Sequence, residues 1–205
     1  MDPLALIMET MFTVSGALLY PVIVLLLAFA VGALVALGQF ISEYSGRTRD
    51  PGRLRTGCRE TRALLKARSY DEAAEKLAAS GSNPLLGSFI GDLAKFLGDD
   101  RFSIESEKLL QDYELHIAAE LERLKILTRT APMLGLMGTL IPLGPALMGL
   151  SAGNVEALAS NLVVAFSTTV LGLFAGGIAY AIMLTKRRWY LQDLSDMEYV
   201  ARMVA

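Results

Sequence analysis

Charged residues are missing from long parts of this 205-residue chain. Residues 11–41, 131–150 and 162–185 contain no Asp, Glu, Lys, Arg or His, although 20% of the chain is charged. Each run is apolar over at least the roughly 18 residues that cross a bilayer as a helix. This excludes a wholly water-soluble domain. We predict three transmembrane helices, with residues 18–40 as the lipid-embedded part of the first.

Cysteine and histidine occur once each. A lone Cys58 cannot form an internal disulfide, and a lone His116 leaves no set of ligands for a metal. We find no nucleophile–base pair and no phosphate-binding loop, so we predict no catalytic residue, no metal, no cofactor and no enzymatic activity. The net charge of −2, with mixed signs, gives no nucleic-acid footprint.

Basic residues are absent from residues 1–46 and 130–185, so all 19 lie in the remaining two segments. Because basic residues near spans stay in the cytoplasm, we place the N-terminus outside and the C-terminus inside a plasma (inner) membrane. We expect no cleaved signal peptide, since a basic leader is missing. The predicted segments are an external N-terminus with the first span (1–41), a cytoplasmic helical domain (42–129), a hairpin of two spans (130–185) and a cytoplasmic C-terminal helix (186–205).

Helical periodicity runs through the polar segments. Apolar residues recur at three- and four-residue steps before the second span, at Leu110, Tyr113, Ile117, Leu121 and Leu124. No strand-like alternation is evident. We therefore predict an all-α fold, an integral membrane protein with three transmembrane helices and a cytoplasmic helical bundle formed by long extensions of the membrane helices.

Shorter elements are predicted from local signals. Residues 47–57, rich in Arg, Gly and Pro, indicate a juxtamembrane turn, followed by a helix from near Cys58. Ser69 begins a capping box, and a short amphipathic helix after Pro84 should place Leu85, Phe89, Leu93 and Phe96 near one side. Trp189 and Tyr190, beside three basic residues, are typical of an interfacial anchor.

Small residues line one face of each of the last two spans. They include Gly135, Gly138, Pro142 and Pro145 in the second, and Gly172 and Gly176 in the third, and Pro132 precedes the first of them. Such faces allow helices to approach closely, and plain helix packing is one interpretation. The other is an ion path, because hydroxyls accompany these faces at Thr139, Ser167, Thr168 and Thr169, and prolines free backbone carbonyls.

An ionisable side chain is absent from all three spans, yet proton carriers within membranes usually include one. If the protein conducts protons, the titrating carboxylate must come from another chain.

The paired motifs "TRTAPMLGLMGTL" and "AFSTTVLGLFAGGIAYAI", with the three-span layout, resemble the MotA/TolQ/ExbB proton-channel family. The resemblance implies a homopentameric ring around a dimer of a MotB/TolR/ExbD-like single-span protein whose intramembrane Asp carries the proton. It also implies that Thr139 and Thr169 are channel threonines, that Pro132 opens the second span, and that ion flow (proton, possibly sodium) moves the partner.

Two positions depart from the family pattern. Val164 stands where many TolQ and ExbB members have Glu, and Pro142 where Gly is frequent. The leading interpretation is the ring subunit of an ion-driven motor or stator complex. The alternatives are a non-conducting oligomeric membrane scaffold with a cytoplasmic recruitment domain and, with less support, a transporter component.

Overall fold

The computed structural model describes residues 3–81, 83–99 and 101–204, so the outermost ends of the predicted first and last segments lie outside the described residues. Within these ranges the structure is helical and contains no strand. The helices are α1 (Pro3–Ala17), α2 (Leu19–Gly46), α3 (Pro51–Lys66), α4 (Tyr70–Ala78), α5 (Pro84–Ala94), α6 (Phe102–Ser151) and α7 (Val155–Val204). The predicted all-α class is confirmed.

Three helical stretches are long and apolar enough to cross a membrane: Leu6–Gly46, Phe102–Ser151 and Val155–Val204. The first joins α1 and α2 through Leu18, whose N–H still donates to Val14 at 3.2 Å and Ser15 at 3.1 Å. The predicted number of spans is therefore confirmed. The location of the polar helices in the cytoplasm stays a prediction.

Both long helices continue from their spans into polar sequence, as the periodicity predicted. α6 does so despite Pro132, Pro142 and Pro145. Each proline removes one N–H and leaves the carbonyl four residues earlier without its helical partner. The adjoining hydrogen bonds keep the helix unbroken.

The chain forms two compact units. Unit 1 comprises Met1–Phe40 and Arg123–Met183, and unit 2 comprises Ile41–Glu122 and Leu184–Ala205. In unit 1, α2 packs through Val22 and Leu26 against Leu134 of α6. In unit 2, α3, α4 and α5 pack against the polar parts of α6 and α7, with a core formed by Leu54, Cys58, Leu77, Leu86, Phe89, Ile90, Leu93, Met197, Val200 and Val204.

The structure corrects the start of α3. The helix begins at Pro51, and the carboxylate of Asp50 caps it by accepting from the N–H groups of Gly52 and Arg53, both at 3.0 Å. Because Asp50 satisfies two N–H groups that lack helical partners, residues 51–57 join the helix, and Leu54 is buried. The prediction of a turn over residues 47–57 was wrong from Pro51 onward.

Two further local predictions differ from the structure. Ser69 occupies the N-cap of α4, but its side chain makes no capping hydrogen bond. In α5 the buried residues are Leu86, Phe89, Ile90 and Leu93, and Leu85 is partly buried against the same core. Phe96 lies beyond the end of α5 at Ala94, so its predicted place on this helix was wrong.

Candidate functional site

Glycines hold α6 and α7 at backbone contact within unit 1. A Cβ added at Gly172 would lie 2.6 Å from the carbonyl oxygen of Ala131 and 2.9 Å from the Cα of Gly135. A Cβ added at Gly135 would lie 3.1 Å from the carbonyl oxygen of Thr168. Any larger side chain would push the helices apart, so the small residues at these positions set the distance between the two spans.

Pro132 extends this contact by one turn. A Cβ at Gly176 would lie 2.6 Å from Cγ of Pro132 and 3.3 Å from the carbonyl oxygen of Thr128. That carbonyl is the one that Pro132 deprives of its helical donor. The proline ring and the freed carbonyl thus both lie against a glycine of α7.

Thr168 fills the space left by Gly138. Only 5% of Thr168 is exposed, and a Cβ at Gly138 would lie 2.6 Å from its Cβ and its Oγ1. The hydroxyl donates within its own helix, with Val164 at 3.0 Å and Ala165 at 2.8 Å as acceptors. In this structure Thr168 packs the two helices together.

Thr169 connects the two helices through its hydroxyl. Its Oγ1 lies 3.4 Å from the carbonyl oxygen of Gly135 in α6 and 3.2 Å from that of Ala165 in its own helix. A single hydroxyl proton serves one of these acceptors at a time, and the oxygen keeps lone pairs for another donor. Thr169 is therefore a polar group with spare hydrogen-bonding capacity on the α6–α7 contact.

Thr139 lies one helical turn after Gly135 on the same side of α6. Its hydroxyl donates to the carbonyl oxygen of Leu136 at 2.6 Å. The exposed Ser167 similarly donates to Val163 at 2.7 Å. Thr169 therefore contacts the turn of α6 that leads to Thr139, whereas the Ser167 hydroxyl lies on the outer surface of α7.

The remaining prolines lie beyond this contact. Pro142 is fully buried and Pro145 partly buried. They remove the helical donors of the Gly138 and Ile141 carbonyls. Residues 130–185 contain one residue of the Asp, Glu, Lys, Arg and His types, Glu156, which is exposed near the start of α7.

The packing of α2 defines the covered side of the α6–α7 pair. Ala33 packs with Ala131 and Ala175, and all three are fully buried. Large apolar side chains on the other sides of α6 and α7 are exposed, including Leu140 at 60% and Phe166 at 65%. Among the described residues no group of three or more His, Cys, Asp or Glu could hold a metal ion.

A buried ionic cluster in unit 2 was missed from the sequence. The carboxylate of Asp193, fully buried, accepts from Nη2 of Arg47 at 2.7 and 2.8 Å and from Nδ2 of Asn83 at 2.9 Å. The Arg47 guanidinium also lies 4.8 Å from the ring centroid of Trp189. Since Trp189 is 7% exposed and Tyr190 5%, their predicted role as an interfacial anchor was wrong.

A second cluster surrounds Lys186. Its Nζ lies 2.8 Å from a carboxylate oxygen of Glu43 and 3.7 Å from one of Glu120. Tyr190 donates to Glu120. Burial, and then the adjacent carboxylates, raise the pKa of Tyr190, so its hydroxyl stays protonated at physiological pH. The sequence signal that could have identified these clusters was the helical phase of α7, because Lys186, Tyr190 and Asp193 lie on its buried side.

These features define a multi-pass helical membrane protein whose second and third spans form a glycine-lined hairpin, with hydroxyls and no carboxylate in its apolar runs 131–150 and 162–185. Residues 93–198, just over half of the chain, match the MotA/TolQ/ExbB proton channel family. The protein belongs to that family, and membership makes it a proton-channel-related membrane subunit of energy-transducing complexes. The matched region contains both spans of the hairpin. No curated protein matches the chain.

Proposed function

We propose that this protein is the ring-forming subunit of an ion-driven motor or stator complex, and that it couples the membrane ion gradient to movement of a single-span partner. The observation that carries the proposal is the Thr169 hydroxyl, 3.4 Å from the Gly135 carbonyl at the α6–α7 contact. It gives the α6–α7 contact a polar group with spare lone pairs.

The partner supplies what the hairpin lacks. Proton transfer through a membrane needs a titrating group, and hydroxyls alone do not titrate near neutral pH. A MotB/TolR/ExbD-like partner with an Asp in its span would provide the carrier. Thr139 and Thr169 would then solvate the ion as it reaches and leaves that Asp. The ring, of five copies, acts on the partner mechanically and performs no enzymatic reaction.

The orientation follows from charge. The basic residues after α2, before the second span and after the third span support an orientation with unit 2 in the cytoplasm and the N-terminus outside. The ion is a proton or, since hydroxyls and freed carbonyls also coordinate sodium, Na⁺.

The test is ion flux through the complex purified with its partner and placed in liposomes. Loss of one hydrogen bond to the moving ion is worth about 1.4 kcal/mol, so Thr169→Val and Thr139→Val should each slow flux about tenfold. The matched control is Thr13→Val in α1, whose exposed hydroxyl donates to the carbonyl oxygen of Glu9 at 2.9 Å, within its own helix. A pH-sensitive dye and a sodium dye distinguish the two ions.

A second candidate function is a non-conducting oligomeric scaffold. It is favoured by the Thr139, Ser167 and Thr168 hydroxyls, which all donate to their own helices. Unchanged flux in both hairpin variants, with the complex intact by native mass, would reject an ion path through these threonines. Absence of flux through the intact wild-type complex would support the scaffold.

A further inference from the structure

An acidic stripe runs along the exposed side of α6 in unit 2. Glu107, Glu114 and Glu122 are exposed and lie within about 80° of one another around the helix, with Leu115 and Ala118 on the same side. Leu115 is 68% exposed, so an apolar side chain lies among these carboxylates. We call this surface the acidic face. At its edge Lys108 pairs with Asp112.

A basic stripe runs along the exposed side of α7 in the same unit. Arg187, Arg188 and Arg202 are exposed, and Leu191 lies among them with 60% of its surface exposed. We call this surface the basic face. The face also holds Glu198, partly buried and 3.5 Å from Nη2 of Arg202, which leaves a net positive charge.

The two faces match in spacing when read in opposite chain directions. Glu107 and Glu122 are 15 residues apart, as are Arg187 and Arg202, so each pair spans about 22 Å of helix. Aligning Glu122 with Arg187 aligns Glu107 with Arg202. The same alignment places Ala118, four residues from Glu122, opposite Leu191, four residues from Arg187.

Contacts inside the chain give the same alignment of α6 and α7 along their axes. Glu120 of α6 meets both Lys186 and Tyr190 of α7, so the two helices run antiparallel in unit 2 and Glu120 lies between these residues along them. The acidic and basic faces lie on the exposed sides of the two helices, away from this contact, so they are free to meet another molecule.

We propose that the acidic face of one copy packs against the basic face of the next copy, and that repetition of this contact closes the ring. This inference rests on the ring proposed above. Neighbouring copies in a ring are related by rotation about the ring axis, and where this axis is parallel to the helices the rotation shifts nothing along them. Two residues at the same position along the axis in one copy are therefore at that same position in the next copy. The matched spacing supplies the correct partners at those positions. Apolar Leu115 and Leu191 exclude water, and the charges set direction and register.

Charge reversal tests the pairing. Glu122→Arg or Arg187→Glu should shift ring dissociation, followed by native mass in mild detergent, to at least about threefold higher protein concentration. The double variant should restore the wild-type midpoint. The control is Glu75→Arg, an exposed change of the same kind on α4, which should leave the midpoint unchanged.

Single-cysteine copies test the direction of the contact. In a Cys58→Ala background, copies with Ala118→Cys and copies with Leu191→Cys are co-expressed and oxidised. A disulfide-linked dimer is expected in the mixture and not in either variant alone, because the two faces differ. Ser88→Cys, exposed on α5, replaces Ala118→Cys in the control mixture.

The inference is overturned if either variant alone gives the dimer, or if the control mixture gives as much. It is also overturned if the reversals change binding to anionic vesicles and leave the ring midpoint unaltered, since lipid would then be the occupant of the basic face. A ring that conducts ions but forms no disulfide rejects this contact and leaves the proposed function standing. A ring that forms the disulfide but conducts no ions supports the contact and rejects the proposed function.

Discussion

Removal of the Asp193 carboxylate should open unit 2 selectively. Asp193→Ala leaves the guanidinium of Arg47 and the amide of Asn83 without the acceptor they share at 2.7 to 2.9 Å. Breaking a buried ion pair costs about 3–5 kcal/mol. The Arg47 side chain is 11% exposed and would still donate to the carbonyl oxygen of Trp189 at 3.4 Å in the variant. We therefore expect a loss of unfolding free energy at the lower end of this range, about 3 kcal/mol.

The lone cysteine provides the assay. Cys58 is fully buried in the same core, so a thiol reagent reaches it only when unit 2 opens. A loss of about 3 kcal/mol raises the open population, and hence the labelling rate, on the order of 100-fold. The fluorescence of Trp189, the only tryptophan, reports the same cluster and should change in parallel.

A neighbouring ion pair gives the control. Asp196→Ala removes the partner of Arg49, a pair 3.0 Å apart whose Arg side chain is 38% exposed, so labelling should rise at most about fivefold. Equal rates for Asp193→Ala and Asp196→Ala would refute the argument from burial. Replacing both charges, Arg47→Met with Asp193→Leu, should recover most of the stability lost in Asp193→Ala.

Three further predictions concern packing and ionisation. Gly172→Ala should lower the thermal unfolding midpoint in detergent, at a cost of about 1–3 kcal/mol of unfolding free energy, because the added Cβ would lie 2.6 Å from a backbone oxygen of α6. The control Gly177→Ala should not lower the midpoint, because a Cβ there would meet nothing within 4 Å. Phe89→Ala should cost unit 2 about 3–5 kcal/mol in denaturant unfolding, whereas Leu115→Ala, exposed, should change it little. Burial raises the pKa of Cys58 to about 11, so its protonated thiol stabilises the fold fully below the unfolded pKa of about 8.5 and loses this contribution as pH rises towards 11. The fall in unfolding free energy across that range should be smaller in Cys58→Ala, where Tyr190, whose pKa is also raised, still contributes.

The spans and their close contact were accessible from sequence because they depend on local composition and helical spacing. The absence of charge indicated three spans, and the repeat of Gly172 and Gly176 indicated a face for close approach. Sequence alone left open whether each threonine packs between the helices or keeps its hydroxyl available for another hydrogen bond. The register between α6 and α7 decides this, since it places Thr168 on Gly138 and Thr169 on Gly135.

The ionic core of unit 2 had no comparable local signal. Arg47 and Asp193 are 146 positions apart in the chain, and pairing over such a distance depends on the tertiary fold. Trp189 was misinterpreted because neighbouring basic residues suggest a membrane interface, whereas the phase of α7 directs it inward. Ser69 shows a different limit, since a capping motif predicts a helix start without ensuring the hydrogen bond.

Asn83 is constrained by two tasks that few side chains can perform together. Its Oδ1 accepts from the N–H of Leu86 at 2.8 Å at the start of α5, while its Nδ2 donates to Asp193 at 2.9 Å. Aspartate could cap the helix but would bring a second negative charge to a buried carboxylate; serine is shorter, and glutamine is a poor cap. Homologues that keep the acid in α7 should therefore keep asparagine here, because loss of this one amide would weaken both contacts at once.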